Sequence, residues 1–493
     1  MDGRYLSDAA HFPGGHAAAI AVPRTTAEIP AIVRAALTLL PVGAQSSLTG
    51  GATPMGETVL STEKLARILD IGGGSIRVEA GVPIGSIQHA LASLDAWFPP
   101  VPTFTGAFAG GIVATNAAGA ATFRHGSVRP WVQALDVVLA DGSELTIVRG
   151  EHTARDGRLR VPTTSATIEV PVPAYRMPRV DKVSAGYFAT PGMDLIDLFI
   201  GSEGTLGVVT TVTFRTASPV PTTAMALVPC ASEPDSIALA ADLRRDPSVA
   251  AIEQMDRRCL EILHEDGADR LCDVAFPSDT AVALLVQLEL TAGTTEEQAF
   301  EQIQDGRIDS AIGRVCASLR ARGAFDQAQM ALPGNMRRAG QFLALREAVP
   351  AGVNQRVGRA QQEIDPRIVK TAADMIVPFE RFAEMMTLYR DAFASRGLDF
   401  AVWGHISDGN VHPNVIPHSY ADVERGKEAI LALGREVVRL GGCPLAEHGV
   451  GRHPVKQALL RQLYGDEGIA QMRAVKRALD PDWKLAPGVI FDR

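Results

Sequence analysis

VWGHISDGNVHPNVI, residues 402–416, predicts an antiparallel hairpin. Valine, isoleucine and tryptophan favour strands, whereas the glycines and the proline argue against a helix. The Asp408-Gly409 pair is a signal for a two-residue hairpin loop. With that loop His405 lies opposite His412, and the Cβ atoms of such a pair are roughly 4.5–5.5 Å apart. Two imidazoles at this spacing can share one metal ion; the alternative is a hydrogen-bonded pair without metal.

Length and composition are typical of a globular protein with two or three domains. A chain of 493 residues is too long for a single hydrophobic core. Its 47 basic and 56 acidic residues give a net charge of −9, which argues against nucleic acid or an anionic membrane as the main partner. No apolar stretch approaches the roughly 18 residues of a membrane helix, and the start lacks the layout of a signal peptide. Five scattered cysteines without a CxxC pattern fit a reducing compartment, so we expect a cytoplasmic protein.

The texture of the sequence changes about halfway along the chain. Over residues 1–217, short strands and helices alternate with glycine-rich segments, and over 218–440 strands alternate with charged amphipathic helices. A C-terminal segment, 441–493, follows a helix predicted near 420–440 and contains another near 467–479. This mixture predicts an α+β fold with two main domains.

PVGAQSSLTGG, residues 41–51, suits an anion-binding loop. It is neither a nucleotide P-loop nor a GxGxxG turn. Gly43 can supply an unusual backbone angle, and successive N–H groups over residues 42–47 can form an anion nest. Ser46 and Ser47 add hydroxyl donors. Taken alone, a structural turn is an equally good interpretation.

Five segments in a fixed order favour the anion-binding interpretation. They are PVGAQSSLTGGA (41–52), VEAGVPIGSIQHAL (78–91), GGIVATNAAG (110–119), ALDVVLADGSEL (134–145) and DLFIGSEGTLGVVT (197–210). Together they resemble the flavin-binding domain of the vanillyl-alcohol oxidase / p-cresol methylhydroxylase superfamily, over about residues 15–217. The resemblance implies FAD bound noncovalently, because no cysteine or histidine occupies the usual attachment positions.

The resemblance also implies which residues hold the FAD. The diphosphate would lie on residues 42–47, and the small-residue run from Gly110 to Asn116 would follow the flavin and the ribityl chain. Glu203, Gly207 and Val208 would hold the adenine end. The FAD-binding residues implied in this way are Val42, Gly43, Ala44, Gln45, Ser46, Ser47, Gly110, Gly111, Ala114, Thr115, Asn116, Glu203, Gly207 and Val208.

The C-terminal half resembles the 2-hydroxy-acid dehydrogenase branch of that superfamily, which includes D-lactate, glycolate and D-2-hydroxyglutarate dehydrogenases. The resemblance is carried by GHISDGNVHPNV (404–415), LAEHGVGR (445–452) and MRAVKRALDPDWKLAPGVIF (472–491). It implies an antiparallel-sheet substrate (cap) domain after the FAD-binding domain, and a helical C-terminal segment that returns to the flavin site.

The same resemblance assigns the chemistry to individual residues. A divalent metal, Zn, Mn or Fe, would bind His405, His412 and Glu447. His448 would be the catalytic base. In LREAVPAGVNQRV (345–357), Arg346 would grip the substrate carboxylate, a task that suits a guanidinium; a solvated helix arginine is the alternative.

These residue types suit the oxidation of a D-2-hydroxy acid to a 2-oxo acid. Two imidazoles and a carboxylate leave coordination positions open for substrate oxygens. The metal would lower the pKa of the substrate hydroxyl, and His448 would take its proton while hydride passes to flavin N5. Neighbouring Glu447 and His448 cannot point the same way on a strand, so this scheme requires the 442–451 loop to turn them.

Several positions depart from the pattern of the branch. Ala372 stands where relatives place a second clamp lysine, and Lys370 lies two positions earlier. Ala486 and Val489 replace polar residues of the closing motif. These changes weaken the case for a dicarboxylate and favour a bulkier or more apolar 2-hydroxy acid. Tyr187 either approaches the substrate or packs in the core.

Other functions share this fold and stay open. One is a metal-free flavin oxidase of phenolic or sugar alcohols, and another is a non-redox transferase like alkylglycerone-phosphate synthase. A third is a flavin-binding protein without turnover. We expect a small-molecule substrate, but the sequence does not identify the electron acceptor. A homodimer is expected because it is the commonest oligomeric state of soluble proteins.

Overall fold

The computed structural model describes residues 3–100 and 104–493. The chain forms two compact units: the first contains residues 1–119, 126–218 and 443–493, and the second contains 120–125 and 219–442. The C-terminal segment therefore belongs to the same unit as the N-terminal half. Of the helices in the two described ranges, none combines the length and the hydrophobicity that a bilayer span requires.

Strands and helices occur throughout residues 3–100 and 104–493. The strands are β1 (Ala19–Ala21), β2 (Leu39–Val42), β3 (Thr58–Ser61), β4 (Ile68–Gly72), β5 (Ser75–Glu79), β6 (Val132–Val138), β7 (Glu144–Val148), β8 (Arg158–Pro162), β9 (Thr167–Pro171), β10 (Val208–Arg215), β11 (Thr222–Cys230), β12 (Val249–Asp256), β13 (Val282–Leu290), β14 (Gln329–Ala331), β15 (Thr371–Ala372), β16 (Met375–Ile376), β17 (Asp399–His405) and β18 (Asn410–Ile416). The helices are α1 (Ile29–Ala35), α2 (Ile84–Ala92), α3 (Ala109–Ala114), α4 (Thr122–His125), α5 (Leu195–Phe199), α6 (Glu233–Leu243), α7 (Arg257–Glu265), α8 (Ala268–Leu271), α9 (Glu296–Gln304), α10 (Ala311–Ala321), α11 (Met336–Glu363), α12 (Phe382–Ala394), α13 (Tyr420–Arg439) and α14 (Pro454–Leu479).

The first unit is built on small sheets. A parallel sheet has the order β1-β3-β2, an antiparallel sheet has the order β4-β5-β10-β6-β7, and β8 pairs with β9. Asp141-Gly142 makes the turn between β6 and β7, where Gly142 has a φ of +79° that glycine adopts without strain. The predicted helix near residues 467–479 is the second part of α14, which Gly465 interrupts with a φ of 69°.

The second unit is dominated by one antiparallel sheet. Its strand order is β14-β11-β13-β12-β17-β18-β15, and β16 also pairs with β18. Alternate residues of β12 and β17, such as Met255 and Trp403, pack with α7 and α11 in one buried core. Asp256 starts α7 by accepting a hydrogen bond from Cys259 N at 2.9 Å, so the strand passes directly into the helix that covers it. The predicted α+β class is confirmed, as is the helix near 420–440, which is α13.

The hairpin forms, but its predicted register is wrong by two residues. His405 pairs with Asn410 and Trp403 pairs with His412, so the turn has four residues, 406–409, rather than Asp408-Gly409 alone. Contacts outside the hairpin hold this wider turn, because Ser407 N donates to Ile252 O and the Arg244 side chain donates to Ser407 O. Side chains in a strand alternate with a period of two, so a shift of two residues leaves both histidines on one face.

Candidate functional site

A cleft of about 310 Å³ in the first unit is lined by all of the predicted FAD-binding residues except Asn116. Asn116 is buried and its Oδ1 accepts a hydrogen bond from Arg129 N at 3.0 Å, so it supports the wall of the cleft from behind. Glu447 and His448 line the same cleft. Residues far apart in sequence therefore meet within this unit.

Over residues 42–47, the loop after β2 contains one residue in the left-handed region, a feature of anion nests. The unusual angle is at Gln45, whose φ is +53°; the expectation that Gly43 supplies it is wrong. Among residues 3–100 and 104–493, no group accepts a hydrogen bond from the backbone N–H groups of residues 44–47. These N–H groups line the cleft and would suit the oxygens of a diphosphate.

Glycines shape the cleft in two ways. A Cβ added at Gly110 would lie 2.8 Å from Ala80 Cβ, and one at Gly207 would lie 2.4 Å from Val137 Cγ1, so both positions require close packing. At Gly111 an added Cβ would meet nothing within 4 Å, so a side chain there would enter the open space of the cleft. Such a cradle fits a flat, extended cofactor such as FAD.

Glu203 anchors the loop that carries Glu447 and His448. Its carboxylate accepts hydrogen bonds from Val450 N and Gly451 N, each at 2.8 Å. Burial raises the pKa of Glu203 to about 7, although these two N–H groups act in the opposite direction. Glu203 lines the cleft and is half-buried. The residue thus has a structural task beyond the predicted contact with adenine.

Glu447 and His448 lie in a loop, so both can face the cleft. Lys182 Nζ lies 3.0 Å from Glu447 Oε2, and both side chains are buried. Glu447 Oε1 lies 3.5 Å from His448 Nε2. The His448 side chain keeps 27% of its exposure, enough for contact with a small molecule. The turn that the scheme required of this loop is therefore present.

Tyr187 belongs to the core rather than to the cleft. Its ring is buried and its hydroxyl is 2.7 Å from Thr205 Oγ1. Burial raises the pKa of Tyr187 well above its ordinary value. Ala486 and Val489 are also buried and do not line the cleft, so their departures from the family pattern act on packing in this unit.

The second unit brings the two predicted metal-binding histidines together. The ring centroids of His405 and His412 are 5.5 Å apart and the rings are nearly perpendicular. A carboxylate backs each ring: Glu253 Oε1 lies 2.7 Å from His405 Nδ1, and Asp374 Oδ1 lies 3.5 Å from His412 Nδ1. A histidine whose Nδ1 faces a carboxylate uses Nε2 as its metal-binding nitrogen, so this donor set fits a divalent ion. The third predicted ligand, Glu447, belongs to the first unit.

Arg346 is held by the same glutamate as His405. Its Nε lies 3.0 Å from Glu253 Oε2, and it makes no other hydrogen bond or ion pair within the described ranges. Burial raises the pKa of Glu253, but the charges of Arg346 and His405 outweigh that effect and hold it well below its ordinary value. The two terminal nitrogens of Arg346 are thereby left for a ligand.

The sequence interpretation missed three polar residues around the histidines. They are Glu253, Asp374 and Asn414, all buried. Asn414 donates from Nδ2 to His412 O at 2.9 Å, while its Oδ1 accepts from no described residue. A charged residue inside the apolar strand AAIEQM (250–255) was the signal for Glu253. Asn414 follows His412 by two residues, which places both on one face of β18.

Ala372 stands where relatives place a second lysine for the substrate carboxylate, and Lys370 is the nearby lysine in the sequence. Ala372 lies in β15 opposite Asn414 of β18. Lys370 precedes β15, is exposed as a residue, and forms no ion pair with a described residue. Burial of the ammonium lowers its pKa to about 8, although the side chain as a whole keeps solvent contact.

Comparison with known proteins identifies the family of this chain. Residues 17–147 match the family described as FAD binding domain, and residues 221–490 match FAD linked oxidases, C-terminal domain. The chain is 29% identical to D-2-hydroxyglutarate dehydrogenase of Xanthomonas citri pv. viticola, an alignment that covers 96% of this chain and 89% of the relative. It is 26% identical to D-lactate dehydrogenase of Archaeoglobus fulgidus, over 95% and 90%, and 27% identical to glycolate oxidase subunit GlcD of Bacillus subtilis, over 96% and 88%.

A solved structure of alkyldihydroxyacetonephosphate synthase has the same fold. It matches with a TM-score of 0.60 at 14% identity and covers 95% of this chain and 75% of that one. Similarity at this level concerns the fold alone. The two family matches, one in each half of the chain, establish that this protein belongs to the FAD-linked oxidases and is an FAD-linked oxidoreductase.

Proposed function

We propose that this chain oxidises a D-2-hydroxy acid to the corresponding 2-oxo acid. The proposal rests chiefly on one observation: His448 lines the same cleft as nearly all of the predicted FAD-binding residues. The relatives named D-2-hydroxyglutarate dehydrogenase, D-lactate dehydrogenase and glycolate oxidase subunit GlcD support the substrate class. In this proposal the residues that line the cleft bind FAD, His448 and Arg346 act on the substrate, and His405, His412 and Glu447 bind the metal.

The residues of the chain have separate tasks in the reaction. Arg346 would bind the substrate carboxylate with its two terminal nitrogens, since Glu253 already holds Nε. A ring nitrogen of His448 would take the hydroxyl proton, because a histidine is suited to accept protons near neutral pH. Bound FAD would supply the acceptor for the hydride of the α-carbon, and a divalent ion on His405, His412 and Glu447 would supply Lewis acidity at the hydroxyl.

The environment of the protein is part of the proposal. All five cysteines are free and buried, which supports a reducing compartment such as the cytoplasm. A homodimer is proposed as the oligomeric state on general grounds. The second substrate would be a separate electron acceptor.

An anaerobic screen of flavin reduction tests the function. The purified protein is mixed with D- and L-2-hydroxy acids of graded size, and the metal content of the same sample is measured. We expect bleaching of the flavin absorbance by one or more D-acids, and loss of that bleaching after treatment with a chelator. Bleaching by phenols or sugar alcohols but not by hydroxy acids would contradict the substrate class. Exchange of an acyl for an alkyl group without net reduction would indicate the transferase.

A further inference from the structure

We infer that Glu253 is a positioning residue for both the metal site and the substrate carboxylate. The inference rests on the proposed function, because it concerns His405 as a metal ligand and Arg346 as the carboxylate clamp. Glu253 Oε1 lies 2.7 Å from His405 Nδ1, and Glu253 Oε2 lies 3.0 Å from Arg346 Nε. Each oxygen of one carboxylate therefore orients a different functional side chain.

The register of the sheet brings Glu253 to this place. Glu253 of β12 pairs directly with His405 of β17, so the two side chains leave neighbouring strands on one face. Arg346 comes from α11, which packs on that same face of the sheet. All three side chains belong to the second unit, and the contacts among them follow from its strand register.

The negative charge of Glu253 decides which ring nitrogen of His405 carries the hydrogen. A carboxylate only accepts hydrogen bonds, so an ionised Glu253 requires His405 to carry its hydrogen on Nδ1. That tautomer presents Nε2 as the ligand nitrogen. Glu253 binds Arg346 at Nε rather than through the terminal fork, and the fork is the part of a guanidinium that matches a carboxylate in two hydrogen bonds.

The second carboxylate–histidine pair is looser. Asp374 Oδ1 lies 3.5 Å from His412 Nδ1, and Asp374 also accepts from Asn410 Nδ2 at 3.1 Å. Glu253, by contrast, lies 2.7 Å from His405 Nδ1 and 3.0 Å from Arg346 Nε. Glu253 is therefore the residue through which metal affinity and substrate affinity would change together.

The test compares Glu253→Gln with a matched control. The FAD-bound enzyme, after removal of metal, is titrated with Zn²⁺ in competition with a chromophoric chelator. KM and kcat are then measured with the D-acid that reduces the flavin fastest. We expect the Zn²⁺ dissociation constant to rise about 10- to 100-fold, the range for loss of a carboxylate behind a metal-bound histidine. We also expect KM to rise about tenfold, because Arg346 loses its support.

Glu289→Gln is the matched control. Glu289 Oε1 lies 2.6 Å from His125 Nε2 in the same unit, so this variant removes the charge of a similar pair that the mechanism does not use. Its Zn²⁺ affinity and KM should equal those of the wild type. Arg346→Lys should raise KM and leave Zn²⁺ affinity unchanged, which separates the two tasks of Glu253. Glu253→Asp keeps the charge with a shorter reach and should recover part of the lost Zn²⁺ affinity.

The outcomes separate the inference from the proposed function. Wild-type enzyme that binds Zn²⁺ while Glu253→Gln binds it equally well would overturn the role of Glu253 and leave the proposed function standing. Wild-type enzyme that reduces its flavin without binding any divalent metal would overturn the metal site and this inference with it. If Glu253→Gln does not fold, Glu253→Asp decides: Zn²⁺ affinity and KM both equal to the wild type would contradict the inference.

Discussion

Glu203 in the first unit and Glu253 in the second show how differently one residue type behaves in the two halves of this protein. Glu203 accepts two backbone N–H groups, and burial raises its pKa to about 7. Glu253 is also buried, yet Arg346 and His405 hold its pKa well below the ordinary value. Burial favours the neutral form of a carboxyl group; the two N–H groups on Glu203 do not reverse that preference, whereas the charges of Arg346 and His405 reverse it for Glu253.

The difference matches the character of the two surroundings. The first unit forms its cleft from glycines, small residues and backbone N–H groups, a surface suited to a large neutral ring and a diphosphate. The second unit gathers charged side chains around two histidines, a surface suited to a metal ion and a carboxylate. Glu203 fixes a loop through two backbone N–H groups, whereas Glu253 orients the side chains of His405 and Arg346.

The largest effect is expected from the loop that Glu203 anchors. His448→Asn removes the proposed base, so the rate of flavin reduction by the D-acid should fall about 10³-fold, within the usual range for general-base catalysis. Stopped-flow absorbance under anaerobic conditions measures this rate, and FAD content should stay at the wild-type level. A loss smaller than about tenfold would assign the base to another residue.

Removing the Arg346 guanidinium should leave burial as the main influence on the pKa of Glu253, as it is for Glu203. Arg346→Met leaves a buried carboxylate with only His405, so the free energy of unfolding at pH 7 should fall by about 3 kcal/mol. The depressed pKa of Glu253 stabilises the wild type above the unfolded value of about 4.3, and this stabilisation is lost as pH falls. Denaturant titrations should therefore show the difference in unfolding free energy between variant and wild type narrowing as pH falls below about 4. A gap independent of pH would contradict the assigned charge state.

Glu203 should give the opposite dependence on pH. Its folded pKa of about 7 lies above its unfolded value, so the folded state binds a proton more tightly and stability falls as pH rises from about 4.5 to 7. Solvent in the cleft screens the charge, and we expect a loss on the order of 2 kcal/mol. Thermal melts at several pH values measure this loss of stability. The control is Glu203→Gln, which should not show the loss. If thermal stability changes with pH equally in the wild type and in Glu203→Gln, the raised pKa of Glu203 is contradicted.

The smallest effect is expected at the looser carboxylate–histidine pair. Asp374→Asn should weaken Zn²⁺ binding only about threefold, less than Glu253→Gln, because the contact of 3.5 Å is longer than a good hydrogen bond. Competition titration with the same chelator compares the two variants directly. A loss above about 100-fold would instead make Asp374 a ligand of the metal.

The hairpin shows how far sequence reasoning extends. Strand-forming residues around the Asp408-Gly409 turn signal predicted two strands and two neighbouring histidines, and both are present. The length of the turn was wrong, because Ile252 and Arg244 hold Ser407 from other parts of the second unit. The error moved the pairing by two residues and left the faces unchanged, which is why the histidines still meet.

The anion-binding loop gives a similar result. The sequence predicted a nest in residues 42–47, and the N–H groups of 44–47 line the cleft as expected. The left-handed residue is Gln45 rather than Gly43. Glycine makes such an angle inexpensive but does not decide where the chain adopts it, and other residues accept a left-handed angle when their surroundings hold them there.

By itself the sequence determined the α+β class, the glycine-rich segments that line the cleft, and the two histidines that share one face of the hairpin, because periodicity, turn chemistry and residue type are local properties. Only the tertiary structure decided the register of the hairpin, the anchoring of the 447–451 loop by Glu203, and the placing of Glu253 between His405 and Arg346. These depend on contacts between residues up to 248 positions apart, whose pairing is set by packing and by the need to neutralise buried charge.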